Sequence, residues 1–273
     1  MTPRDKAEEI SRLFAKFPQI TAVVLAGSQS TNMADSKSDI DLYIYKTGEI
    51  SSSDQAEVIN QAGGAKRSDL NMPYWGGTNM WIDRKTGICI DCIYFDCNWM
   101  EEQVNRVMLA HQASLGYSTC FCRTVNQSLC LYDHHGWFEN LQRMSSADYP
   151  VQLQRNIILH NHPVLRTIMP SYLNQIESAI RRKDAVSVNH RVAALFASYF
   201  DIIFAMNRIL HPGEKRIMSY IHKECTNLPV SIDKDIDAVL KTTSGDNSDL
   251  IKNIHGMLDR LDETLAESGL LPG

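Results

Sequence analysis

The residue types best suited to chemistry lie in one stretch of this chain, where Gly27-Ser28 is followed by Ser38-Asp39-Ile40-Asp41-Leu42. In an extended backbone residues i and i+2 project from one face, so Asp39 and Asp41 point together while Ile40 and Leu42 point the other way. Two carboxylates crowded in this way repel unless a cation lies between them, and a hard divalent ion with oxygen ligands, magnesium first among them, suits the pair. Upstream, Gly27 lets the backbone approach a phosphate closely, and Ser28 offers a hydroxyl and an N–H at an expected helix start. The chemistry this combination serves is the holding of a metal-bound nucleoside triphosphate.

Two strands must position these groups. Ile40, Leu42 and Ile44, with Tyr43 and Tyr45, carry the β-branched and aromatic enrichment of one strand, and Ile20 to Ala26 gives the other. Asp-x-Asp alone would equally suit an ordinary strand-turn-strand unit with solvated acids at a strand end. The conjunction of strand, Gly-Ser, polar loop and Asp-x-Asp entering a second strand resembles the signature of the polymerase-β-like nucleotidyltransferase superfamily. Ala34 and Asp35 inside the loop add to the likeness to its small-molecule, antibiotic-modifying branch, and coverage is best over residues 20 to 45. Thr31 and Asn32 depart from it, standing where Arg and Gly are common. Asn tolerates a left-handed backbone, whereas the missing Arg removes a phosphate-neutralising charge.

The resemblance implies a third carboxylate on a neighbouring strand. The run Gly87-Ile-Cys-Ile-Asp-Cys-Ile-Tyr-Phe-Asp96 is apolar with an acid in its middle, and a charge there is costly without a partner, so Asp91 is the choice. Asp96, at the end of the strand, and Asp83, in an expected hairpin turn, are the runners-up. The implied mechanism has Asp39 and Asp41 holding the ion on ATP or another nucleoside triphosphate. Asp91 joins them in holding a second Mg2+ that activates an acceptor hydroxyl for in-line attack, with pyrophosphate leaving. No general base is assigned; Glu101 and Glu102 are candidates by proximity to the third strand.

Composition narrows the class. With 273 residues and 44% hydrophobic content the chain suits two modest domains, taken as 1–149 and 150–273. No N-terminal apolar signal and no apolar run of spanning length is evident, so a cytoplasmic enzyme without a membrane partner is expected. The net charge of −5, with Arg181-Arg182-Lys183 as the one short basic run singled out, counts against a nucleic-acid acceptor. Seven cysteines suggest free thiols in a reducing compartment. Cys89 and Cys92, three apart on a strand, put their sulfurs on opposite faces and argue against zinc.

Along the chain, Thr2-Pro3 with Asp5 marks a helix start whose apolar stripe of Ile10, Leu13, Phe14 and Phe17 ends at Pro18. Residues 57–61 read as a short helix, 69–95 as a hairpin or meander, 101–113 as a helix, 126–132 as a strand, and Asp133-His134-His135-Gly136 as a turn. Beyond about residue 150 helical periodicity dominates. Val192 to Leu210 forms a long amphipathic helix stopped by Pro212-Gly213, and Leu250 to Leu265 forms another, whereas His160, His162 and Pro163 suggest a loop or helix end. The expected fold is α+β: an N-terminal mixed sheet with flanking helices, then an antiparallel helical bundle. Asn207-Arg-Ile-Leu-His-Pro-Gly-Glu-Lys-Arg216 sets Lys215 near a helix N-terminus that favours anions, and the resemblance implies a triphosphate contact for it; a plain surface charge is the alternative. The expected activity is transfer of a nucleoside monophosphate, AMP from ATP, to a hydroxyl of a small molecule. The alternatives are adenylylation of a partner protein and a catalytically silent nucleotide-binding protein.

Overall fold

The computed structural model describes residues 2–27, 39–75, 77–245 and 247–272. The chain forms two compact units, Met1–Asn105 with Phe121–Ala147, and Arg106–Cys120 with Asp148–Gly273. The architecture is α+β, with a mixed sheet and flanking helices in the first unit and a helical bundle in the second.

In the first unit, α1 (Pro3–Phe14) opens with a capping box: the Thr2 hydroxyl accepts from the Asp5 N–H, the Asp5 carboxylate accepts from the Thr2 N–H, and Pro3 occupies the first turn. Strands β1 (Ile20–Leu25) and β2 (Ile40–Lys46) follow, then α2 (Ser52–Gln61), β3 (Ala65–Met72), β4 (Thr78–Asp83), β5 (Cys89–Asp96), α3 (Cys97–Met108), α4 (Cys120–Gln127), β6 (Leu129–Asp133) and α5 (Trp137–Ser145). The strands make one sheet in the order β3-β4-β5-β2-β1-β6, with β2 and β5 parallel and the other pairs antiparallel.

The two faces of the sheet are covered differently. Ile40, Leu42 and Ile44 of β2 and Ile90 and Cys92 of β5 face α1 and α2, packing with Ile10, Phe14, Val58 and Ile59 in one continuous core. Tyr43, Tyr45 and Phe95 lie on the opposite face, where Tyr45 packs on Trp137 and Phe138 of α5 and Phe95 stacks on Trp99. Strand alternation thus sends the isoleucines and leucine of β2 to one face and its tyrosines to the other.

Several boundaries differ from the sequence pattern, each for a local reason. The Ser51 hydroxyl accepts the Asp54 N–H and starts α2 earlier than residue 57. Asp96 accepts the Trp99 N–H at 3.0 Å, so α3 begins directly after β5. Residues 120–127 are helical, with Cys122 and Val125 turned inward at helical spacing, and the following strand is confined to Leu129–Asp133.

The second unit contains α6 (Val151–Arg166), α7 (Tyr172–Arg181), α8 (Ala185–Met206), α9 (Ile217–Glu224), α10 (Ile232–Thr243) and α11 (Leu250–Glu267). Leu153, Ile157, Ile176, Leu195, Tyr199, Ile202, Leu258 and Leu261 are fully buried in it. His160, His162 and Pro163, expected at a loop or helix end, lie inside α6. Pro163 falls close to its C-terminus, and His162 is held by Asp262 of α11 at 2.6 Å. The long helix α8 stops at Met206, short of Pro212-Gly213, because the Asn207 side chain donates to the Ile203 carbonyl and Arg208 turns left-handed at φ +54°. Residues 106–120 are tied to this unit by polar contacts. Gly116 N–H donates to Asn161 at 2.9 Å, and the Ser118 hydroxyl and N–H both donate to the Asp201 carboxylate, at 2.6 and 3.0 Å. Among the described residues no helix is long and apolar enough to cross a membrane.

Candidate active site

The parallel register of β2 and β5 sets Asp41 directly beside Asp91 and Ile40 beside Ile90. Aligned residues on neighbouring strands share a face and lie about 4.8 Å apart along the hydrogen-bonding direction. Asp39 enters from the same side one pleat earlier, next to Cys89. The three acids expected to act together are therefore gathered on one face at one end of the two central strands, opposite the aliphatic core. Asp39 is exposed, while Asp41 and Asp91 are half-buried.

Electrostatics report the same arrangement. Burial first, then the charges of Asp39, Asp91 and Asp41, push the Cys89 thiol up from its ordinary value. The Tyr43 hydroxyl, on the same face one pleat beyond Asp41, is pushed up to about 12 by burial and then by the Asp41 and Asp91 charges. Both side chains thus sit in the field of a carboxylate cluster.

Gly27 closes the cluster from β1. The Ala26 N–H donates to the Asp41 carbonyl at 2.9 Å, and the chain then turns at Gly27 with φ +64°. A Cβ built on Gly27 would stand 2.0 Å from Asp41 Oδ2 and 2.9 Å from its Cγ. Glycine is required here twice over, by the left-handed backbone and by the carboxylate that occupies the space of a side chain. Ser28 and the loop residues Thr31, Asn32, Ala34 and Asp35 lie outside the described residues.

Other expected residues have structural work. Asp83 is fully buried and meets Lys6 Nζ at 3.0 Å; burial pushes its carboxyl up, but hydrogen bonds from Thr86 and the Lys6 charge outweigh this and hold it low. Asp96 caps α3, and Asp133 caps α5 through the N–H groups of Phe138 and Glu139. Glu101 accepts from the Trp137 indole. Lys215 belongs to the second unit, exposed in a turn before the α9 N-cap Arg216, itself left-handed at φ +56°. His211 builds that turn: its backbone N–H donates to Thr119 Oγ1 at 2.7 Å, and its Nδ1 accepts from the Gly213 N–H at 3.0 Å.

Sequence spacing did not show the remaining neighbours of the cluster. Register sets Met80 beside Asp91 and Asp69 beside Met80, so the row Asp69, Met80, Asp91, Asp41 crosses four strands on one face. Arg67, on the same side of β3, pairs with Asp69 at 3.2 Å. Only strand order reveals this row, since it joins residues far apart in the chain.

As a donor set, three carboxylates beside a glycine turn offer the hard oxygen ligands that Mg2+ takes. Among the described residues no three His, Cys, Asp or Glu side chains converge into a ready-made metal cluster. Asp41 and Asp91 share a row across the two strands, with Asp39 one pleat before it.

Fold and site together define an α+β domain with a carboxylate-bearing strand pair beside a glycine turn. Residues 8–71 match the family described as Polymerase beta, Nucleotidyltransferase; the match covers the later part of α1, β1, the glycine turn, Asp39 and Asp41, and ends before Asp91. The superfamily resemblance carried by Gly27-Ser28 and Asp-x-Asp is thereby shown, and the domain is of nucleotidyltransferase type. A nucleotidyltransferase-like protein from Exiguobacterium sibiricum is similar in structure, with a TM-score of 0.46 and 10% identity over 96% of this chain and 76% of that one. No protein of curated function matches the sequence.

Proposed function

We propose that this protein transfers a nucleoside monophosphate, AMP from ATP, to a hydroxyl of a small molecule and releases pyrophosphate. The observation that carries the reading is the in-register pairing of Asp41 with Asp91 on parallel strands, with Asp39 on the same face and Gly27 packed against Asp41. Asp39 and Asp41 would hold the Mg2+ of the nucleotide, and Asp91 would join them in holding a second ion. Bound there, the ions neutralise the polyphosphate and lower the pKa of the acceptor hydroxyl.

The chain's own groups do the rest. The bare backbone at Gly27 lets the Asp41 carboxylate lie against the end of β1, and the adjacent carboxylates fix where positive charge collects. Tyr43, one pleat from Asp41, packs edge-on against Phe95 of β5, so the two acid-bearing strands are also joined by a ring contact. No covalent intermediate on the protein is required.

The test is incubation with α-labelled ATP, Mg2+ and pooled hydroxyl compounds, beside an Asp39→Asn/Asp41→Asn variant. Label should move to an acceptor in a metal-dependent way and fall by at least about 1000-fold in the variant, the scale expected when the principal electrostatic groups are lost. Transfer that persists in the variant would overturn the assignment.

A further inference from the structure

A pocket in the second unit is used by none of the chemistry above. It runs along α7 from Met169 and Pro170, just before the helix, to its C-terminal end and the first turns of α8, has a volume of about 410 Å³, and is lined by Glu177, Ser178, Arg181, Arg182, Ser187 and Arg191 among others. That volume falls within the roughly 300–1,000 Å³ typical of small-molecule sites. Arg181 donates to the Ser178 hydroxyl at 2.8 Å, which holds its guanidinium along the wall.

Three arginines and one glutamate line this pocket in a chain whose net charge is −5, and the nearby Asp184 carboxylate is taken up by the N–H and hydroxyl of Ser187. Some arginines elsewhere meet acids, as Arg166 does with Asp259 and Asp262, Arg260 with Asp235 and Arg4 with Glu8, and others bond neutral oxygens, as Arg84 does with the Ala65 carbonyl and Arg106 with Ser114. Among the described residues no carboxylate lies within ion-pair distance of Arg181, Arg182 or Arg191. Stabilisation of a helix C-terminus accounts for Arg181 and Arg182 at the end of α7. It does not account for Arg191, which reaches the same pocket from within α8. Guanidinium groups that line one concave site suit phosphate oxygens, which accept two parallel N–H bonds from each fork.

We propose that this pocket binds the phosphate of a phosphorylated, hydroxyl-bearing small molecule, with Arg181, Arg182 and Arg191 as phosphate ligands and Glu177 accepting from a ligand hydroxyl. The site is independent of the carboxylate cluster, and either can fail alone.

The test is calorimetric titration of the full chain with inorganic pyrophosphate in the presence of a chelator, which removes divalent ions from the carboxylates. Wild type should show one saturable site that weakens as salt rises. Arg181→Ala/Arg182→Ala/Arg191→Ala should bind at least about tenfold more weakly. Arg143→Ala, in α5 of the first unit, and Asp41→Asn should bind as wild type does, and Glu177→Gln should bind more tightly because a like charge is gone. If the triple variant melts early, Arg191→Ala alone, at an exposed position, should still weaken binding several-fold. No saturable heat with wild type, or equal affinity in the arginine variants, would overturn the proposal. So would sedimentation of the protein with anionic phospholipid vesicles without any pyrophosphate heat, since a membrane headgroup would then be the source of the phosphate.

Discussion

Gly27 and Asp41 constrain each other at the level of single atoms. The Asp41 carboxylate fills the volume in which any other residue at position 27 would carry its Cβ, and the backbone there is left-handed. Gly27→Ala should therefore act in two separable ways. The left-handed conformation should cost about 1–2 kcal/mol of stability, visible as a lower unfolding midpoint. Displacement of Oδ2 from its present position should lower kcat about 100-fold, because misplacement of a catalytic group by about 1 Å has effects of that size. Full activity in a folded Gly27→Ala protein would show that Asp41 is not needed in its present place. Asp39 and Asp41 were legible in the sequence because i, i+2 spacing fixes a shared face on any strand. Gly27 was legible as a turn residue, but its contact with Asp41 depends on how β1 closes onto β2.

At the scale of elements, Asp91 was readable as an acid inside an apolar strand, yet its meeting with Asp41 follows from the β2–β5 parallel register, which no local pattern encodes. The row through Met80 to Asp69 is non-local in the same way. The periodicity that placed β2, β5, α8 and α11 was correct in kind. It failed where short-range capping competed with it, at Asp96 before α3 and at Asn207 after α8. A further element-scale contact concerns residues 106–120. Burial pushes the Asp201 carboxyl up to about 7, against the hydrogen bonds from Ser118 and Asn161 that favour its charged form. Its folded value lies above the unfolded 3.8, so the folded state binds the extra proton between these values and the associated stability falls as pH rises from about 4 to about 7. Asp201→Asn keeps an oxygen for the Ser118 N–H and cannot ionise. Its melting temperature should change less than that of wild type between about pH 5 and pH 8, and should be the higher of the two at the alkaline end. A wild-type midpoint that rises across that range, with the variant parallel to it, would show that Asp201 does not titrate there.

At the scale of the whole molecule, a net charge of −5 opposes the approach of a polyphosphate, and the carboxylate row opposes it most. Nucleotide binding at that row must therefore be conditional on a divalent cation, whereas the arginine pocket binds phosphate without one. This separation gives a global readout that does not depend on knowing the acceptor. A ligand that binds the folded state alone stabilises it by about 2.7 kcal/mol at a hundredfold excess over its Kd. With Mg2+ present, ATP should raise the unfolding midpoint of wild type, and Asp41→Asn should lose the part of the shift that depends on the metal. In chelator, any remaining shift should disappear in Arg181→Ala/Arg182→Ala/Arg191→Ala and persist in Asp41→Asn. Metal-dependent stabilisation that survives Asp41→Asn would place the nucleotide away from β2 and β5, and the proposed reaction would lose its physical basis, whatever became of the arginine pocket.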